Sequence, residues 1–164
     1  MAAVIKTSDP SVRVVAVAGP RSWLGRSPDV DLAVEPGAAR AALADAAAGG
    51  RLVVLVDDAD TVDDAEGVLA SLLAGRAPDV HVVAAARADT LRTLYTHWTK
   101  ALRASKVGVL LRPDPDLDGD LLGTRLPRRS TVPLGVGRGY LVVGGDVELV
   151  QLADTRSIES PPLH

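Results

Sequence analysis

The stretch Leu52-Val53-Val54-Leu55-Val56-Asp57-Asp58 decides the fold. Five apolar residues run without alternation and stop at two acids. Such a run fits a strand buried on both faces, the condition of parallel sheets covered by helices. Working outward, Val12 to Ala18 reads as a second buried strand, ended by Gly19-Pro20, and Val30 to Val34 as a short one. Val80 to Ala85 and Val107 to Leu111 read as further buried strands.

Helical signals fall between these runs. Pro36 to Ala48 is a small-residue helix, with Pro36 in the first turn and Gly49 as its C-cap. A helix is expected from about Val62 to Ala74, capped by Thr61 with Asp64 in capping-box position. Leu91, Leu94, Tyr95, Trp98, Ala101 and Leu102 follow helical spacing, with Asp89 as N-cap. Tyr140 to Val143 and Val147 to Leu152 flank Gly144-Gly145-Asp146 and predict a hairpin. The expected fold is α/β: a mostly parallel sheet with helices on both faces and a C-terminal antiparallel hairpin. The expected organisation is an N-terminal lead over 1–11, a single domain over 12–153 and a flexible, polar tail over 154–164.

Bulk composition narrows the function. With 164 residues, 47% apolar and 24% charged, the chain can bury one ordinary core. Aromatics make up 2% and Phe is absent, so Val, Leu and Ala must fill that core. The net charge of −3 gives no global attraction to nucleic acid. Cysteine is absent, which excludes disulfides, thiolate zinc sites and thiol catalysis. No apolar stretch approaches the roughly 20 residues of a membrane span, and nothing resembles a signal peptide. The expected location is cytoplasmic. Lysine occurs only at Lys6, Lys100 and Lys106 against abundant arginine, which with the Ala and Gly richness suggests a GC-rich genome.

Several groups invite chemistry. Asp57 and Asp58 end a central strand, at the edge where ligands of open α/β sheets bind. They have the shape of a Walker B strand, whose first acid holds magnesium and whose second polarises water. The competing account is that they, with Asp60, Asp63 and Asp64, favour the N-terminus of the next helix. No G-x-x-x-x-G-K-[ST] phosphate loop occurs. Gly19-Pro20-Arg21-Ser22-Trp23-Leu24-Gly25-Arg26-Ser27 imitates one, but five residues separate its glycines and Arg26 replaces the lysine. It reads as a surface loop. Asp114, Asp116, Asp118 and Gly119 open like a calcium loop, yet Arg125 stands where the bidentate acid belongs, so capping turns are the expected role. Arg92, Thr96, Thr99 and Arg103 form a polar stripe, and Arg125, Arg128, Arg129 and Arg138 a second basic group, both expected to be solvated. His81 and His97 lack metal-ligand spacing, and no metal is expected.

Taken in order, these pieces resemble the C-terminal two-thirds of an FtsK/SpoIIIE-type ATPase domain. Val12 to Leu152 carries the resemblance: LVVLVDDAD at 52–60, VVAAARAD at 82–89, ASKVGVLL ending at Leu111, DGDLLG at 118–123, GRGYLV at 137–142 and VELVQL at 147–152. The resemblance implies a RecA-like, P-loop-derived fold. Members include actinobacterial chromosome translocases and type VII secretion motors, and they use ATP to drive DNA or protein through ring assemblies. It implies Asp57 as the magnesium-side acid, Asp58 as the water-polarising acid and Arg87 beside the sensor position, where Ala86 replaces the usual polar residue. Arg138 becomes a possible contact across an interface. The family's phosphate loop precedes the strand matching Val12 to Ala18, and only eleven residues precede it here.

The expected function is therefore a degenerate ATPase module that docks on, or recognises, other proteins of a translocase or secretion motor. It would not hydrolyse ATP alone and would hold no cofactor by itself. The alternatives are a subunit whose Mg-ATP site another chain completes, with ATP and DNA binding in that assembly, or a fragment of a larger motor. A sheet lacking one strand exposes an edge, so self-association or a partner ATPase or secreted protein is expected.

Overall fold

The computed structural model describes residues 2–75, 79–129 and 132–153. It is α/β, with a four-stranded and a three-stranded sheet. The chain divides into two compact units, Met1–Leu102 and Arg103–His164. The expected flexible tail over 154–164 lies outside the described residues.

In the first unit, β1 (Arg13–Val17), β2 (Leu32–Val34), β3 (Leu52–Val56) and β4 (Val80–Ala84) form a parallel sheet in the order β2-β1-β3-β4. The registers pair Val15 with Leu32, Val15 with Val54 and Val54 with Val82. Every residue of β3 is buried, as an unalternating run requires. On one face Val15, Val17, Leu52, Val54 and Val56 pack with Leu43, Leu69 and Trp98. On the other, Val14, Ala16, Val53 and Leu55 pack with Ala2, Val12 and Leu24. Ala2 belongs to α1 (Ala2–Ser8), a helix within the stretch that reads as a simple lead. Lys6 anchors it, its Nζ 2.6 Å from Asp31 and 2.8 Å from the Val12 carbonyl.

Pro36–Ala38 forms a 3₁₀ turn leading into α2 (Ala39–Ala48), whose C-cap is Gly49. Two helical expectations change. α3 runs Val68–Gly75, beginning six residues later than the sequence pattern suggests. The Asp64 carboxylate accepts the Leu69 and Ala70 N–H groups at 3.1 and 2.9 Å, so it does serve the helix start. Thr61 is no cap: its hydroxyl donates back to the Asp58 carbonyl. The helix expected across 91–102 breaks into α4 (Ala88–Thr93) and α5 (Thr99–Arg103). Residues 94–98 leave the helix because His97 and Trp98 turn to the Val62 carbonyl. Tyr95 is left exposed and Thr99 buried, so the expected polar stripe does not form. Arg87, not Asp89, occupies the N-cap of α4, while Asp89 accepts the Thr90 N–H.

In the second unit, β5 (Val107–Leu111), β6 (Arg138–Val143) and β7 (Asp146–Gln151) form an antiparallel sheet. Gly144 and Gly145, at φ 61° and 107°, make the two-residue hairpin turn, a conformation that strongly favours glycine. β5 is the central correction: it pairs antiparallel with β6, and Val107, Val109 and Leu111 are exposed. Its run of apolar residues reads as buried on both faces, but this three-stranded sheet covers one face, where Leu122 lies against Gly108.

Candidate functional site

Connections leave β1 toward β2 and β3 toward β4, on opposite sides. The carboxyl ends of β1 and β3 are therefore the switch point where α/β sheets open a crevice for ligands. Asp57 stands there. Its N–H donates to the Val17 carbonyl, continuing the ladder one residue past β3. Its Oδ2 accepts the Ser22 hydroxyl at 2.5 Å and its Oδ1 accepts the Asp58 N–H at 3.1 Å. The Ser22 hydroxyl oxygen in turn accepts the Leu24 N–H at 3.2 Å, capping the 3₁₀ turn Trp23–Arg26. The imitation phosphate loop, which reads as a surface loop, is a short turn whose Ser22 reaches into the crevice. Asp58 is exposed, with φ 46°, and its carbonyl takes both the Thr61 N–H and hydroxyl.

A second pair lies at the adjacent β3–β4 edge. The Asp60 side chain is 1% exposed and its Oδ2 is 3.7 Å from Arg87 Nε. Oδ1 accepts the Arg87 backbone N–H at 3.2 Å, and Oδ2 has no hydrogen-bond partner among the described residues. Arg87, 72% exposed at its side chain, carries its guanidinium outward from this buried anchor. Sequence reasoning singles out Arg87 and leaves Asp60 among generic helix-start acids. Asp60 lies two residues past the paired acids in the same loop, and that closeness is the signal that could find it. Ser22 lies inside a loop that reads as mere surface.

Arg138 belongs to the second unit, where its Nε donates to Gln151 Oε1 at 3.2 Å and its Nη1 to the Pro133 carbonyl at 3.0 Å. The aspartates of the calcium-like segment hold their own turn: Asp118 Oδ2 accepts the Asp114 N–H and Asp114 Oδ1 the Asp116 N–H. Arg128 Nε binds Asp116 at 2.9 Å. Among the described residues no group of three or more His, Cys, Asp or Glu is placed to hold a metal. No helix among them is long and apolar enough to cross a membrane.

At the crevice Ser22 gives its hydroxyl to Asp57, the Asp58 side chain is exposed, and no lysine stands in the loop. In the turn the Leu24 N–H is taken by the Ser22 hydroxyl oxygen and the Ser27 N–H by the Leu24 carbonyl, whereas a phosphate loop turns several free N–H groups to its ligand.

No family model matches the chain, and no curated protein matches it. Its fold is similar to that of a solved structure, the cytoplasmic domain of EssC, with a TM-score of 0.66 and 16% sequence identity over 85% of this chain. The match covers 33% of that structure, so the chain spans about a third of its length.

Proposed function

We propose that the chain is a P-loop-derived module of the FtsK/SpoIIIE type, acting as an interaction or docking module of a translocase or type VII secretion motor without hydrolysing ATP by itself. Residues 12–153 would serve as one functional module. The observation that carries this reading is the Ser22–Asp57 hydrogen bond, which closes the crevice with the chain's own loop. The fold likeness to the cytoplasmic domain of EssC supports the choice of family. The hydrogen bonds that a phosphate loop gives its nucleotide are charge-assisted, each contributing about 1.5–3 kcal/mol. A site without two of them binds a micromolar ligand about 3–6 kcal/mol more weakly, with a dissociation constant of roughly 0.2 mM to 20 mM. Calorimetric titration with Mg-ATP is expected to give no heat of binding at micromolar nucleotide. A micromolar dissociation constant for the isolated chain overturns the reading.

The same hydrogen bond favours one other reading. A hydroxyl and a strand-end acid are the protein groups that hold magnesium in P-loop sites. A partner chain supplying the phosphate cradle would then complete the site, with Ser22 and Asp57 released to the ion and Asp58 beside the attacking water. ATP turnover by a mixture with a candidate motor ATPase, compared with the Asp58→Ala variant, tests it. Equal turnover with the variant removes this alternative.

A further inference from the structure

We infer that β4 is the contact edge of a symmetric dimer, pairing antiparallel with β4 of a second copy of this chain. The inference rests on the proposed role as an interaction module and names the surface and the partner that serve it.

β4 ends the sheet order β2-β1-β3-β4. The Leu52 N–H donates to the Asp79 carbonyl and the Ala85 N–H to the Val56 carbonyl. With Leu52 opposite Val80 and Val56 opposite Ala84, the odd positions 79, 81, 83 and 85 face β3. Backbone groups alternate along a strand, so Val80, Val82 and Ala84 turn their N–H and C=O groups to the open edge. No loop or turn bond among the described residues uses them.

The two edges of the sheet are treated differently. β2 is three residues long and flanked by Asp31 and Glu35. Shortness and charge are the usual protections of an edge. β4 is five residues, Val-His-Val-Val-Ala, with no proline, lysine or acid inside it. Val80, Val82, Val83 and Ala84 are half-buried, where their neighbours in β3 are fully buried.

A second copy matches this edge without conflict. Centred on Val82, an antiparallel register sets Val82 against Val82, Val80 against Ala84 and His81 against Val83. All three outward residues then form hydrogen-bonded pairs, and each pair exchanges two bonds. No like charges oppose: Asp79 meets Ala85. β-Branched pairs are favoured across strands.

The test uses the full chain. Sedimentation equilibrium from micromolar to millimolar protein is expected to show a monomer–dimer equilibrium. Val82→Pro removes an N–H that β3 does not use, a position where an edge strand tolerates proline. It should keep the wild-type far-ultraviolet circular dichroism and abolish the dimer. Hydrogen exchange on the wild type provides a readout without mutation. The Val80, Val82 and Ala84 amides should gain protection as concentration rises, while His81, Val83 and Ala85 stay protected throughout. A monomer at every concentration, a dimer that survives Val82→Pro, or a dimer whose three outward amides exchange freely overturns the inference. Protection of these amides only by a different protein also overturns it. Mg-ATP titration of wild type and variant keeps the two proposals separable, because nucleotide binding does not depend on this edge.

Discussion

The Val62 carbonyl accepts two side-chain donors, and removing both is expected to cost more than the sum of removing each. His97 Nε2 and Trp98 Nε1 both lie 2.9 Å from it. A carbonyl can only accept, so Nε2 carries the hydrogen of His97, and Nδ1 accepts the Thr99 hydroxyl at 2.9 Å. Val62 is 4% exposed and Trp98 is 7% exposed, so water has little access to the acceptor. His97→Ala alone forfeits two neutral bonds, to the Val62 carbonyl and from the Thr99 hydroxyl, about 1–3 kcal/mol together, and leaves the carbonyl satisfied by the indole. Trp98→Phe forfeits a similar bond and some buried ring area, about 2 kcal/mol in all. The double variant orphans a buried carbonyl, whose desolvation costs about 1–3 kcal/mol. Coupling of at least about 1 kcal/mol beyond additivity is therefore expected. Urea unfolding followed by far-ultraviolet circular dichroism measures it, with hydrogen exchange of the β3 amides as the local readout. Additivity within about 0.5 kcal/mol, with unchanged m-values, would refute the shared-acceptor account.

Two further outcomes follow from packing and charge. A Cβ at Gly139 would lie 2.1 Å from the Leu110 carbonyl oxygen and 2.8 Å from Leu111 Cα. Gly139→Ala should therefore destabilise the β5–β7 sheet by more than about 3 kcal/mol, seen as reduced amide protection in that sheet alone. For Asp31, burial works to raise the carboxyl, but the Lys6 and Val14 hydrogen bonds and the charges of Lys6 and Arg13 outweigh it and hold it below its ordinary value. A lowered folded value means the carboxylate stabilises the fold above the unfolded pKa of about 3.9, and that contribution is lost as pH falls through the folded value. Asp31→Asn should cost a few tenths to about 1 kcal/mol at neutral pH, because the pair is partly solvated. The difference from wild type should close in acid, and a difference that persists there contradicts the assignment.

Much of the parallel sheet is legible in the sequence because its strands carry their own signal. Leu52 to Val56 is apolar throughout, and Val12 to Ala18 is apolar except for Arg13 at its start, so both carry the mark of strands buried on both faces. The hairpin is equally plain, since Gly144-Gly145 can take two positive φ values where other residues are strained. Helix boundaries fail where a long-range bond outweighs periodicity. Leu91 to Leu102 keeps a 3.6-residue pattern, yet His97 and Trp98 satisfy a carbonyl 35 and 36 residues away, which no window along the chain reveals. β5 misleads for a different reason: an apolar strand reports its composition, not the number of layers available to cover it. At the site, Asp57, Asp58 and Arg87 are legible as residue types at a strand end. Ser22 and Asp60 are not, because their meaning lies in the side chains they meet.

Those two residues change what the paired acids are for. An acid poised for chemistry keeps lone pairs directed at open space or at an ion. Asp57 directs one oxygen at Ser22 and the other at the Asp58 N–H. Asp58 turns its backbone to φ 46° and gives its carbonyl to Thr61, which shapes the loop that delivers Asp60 to Arg87. The Asp57 carboxylate and the Asp58 backbone together hold the segment between β3 and Val62 in place, while the Asp58 side chain is exposed. That segment ends at the carbonyl held by His97 and Trp98, so the edge of the sheet is tied down at both ends by side chains. A surface fixed in this way suits recognition by shape, where ordering on binding would otherwise subtract from affinity. On the proposed reading, an ion could reach Asp57 only after the loop had released it.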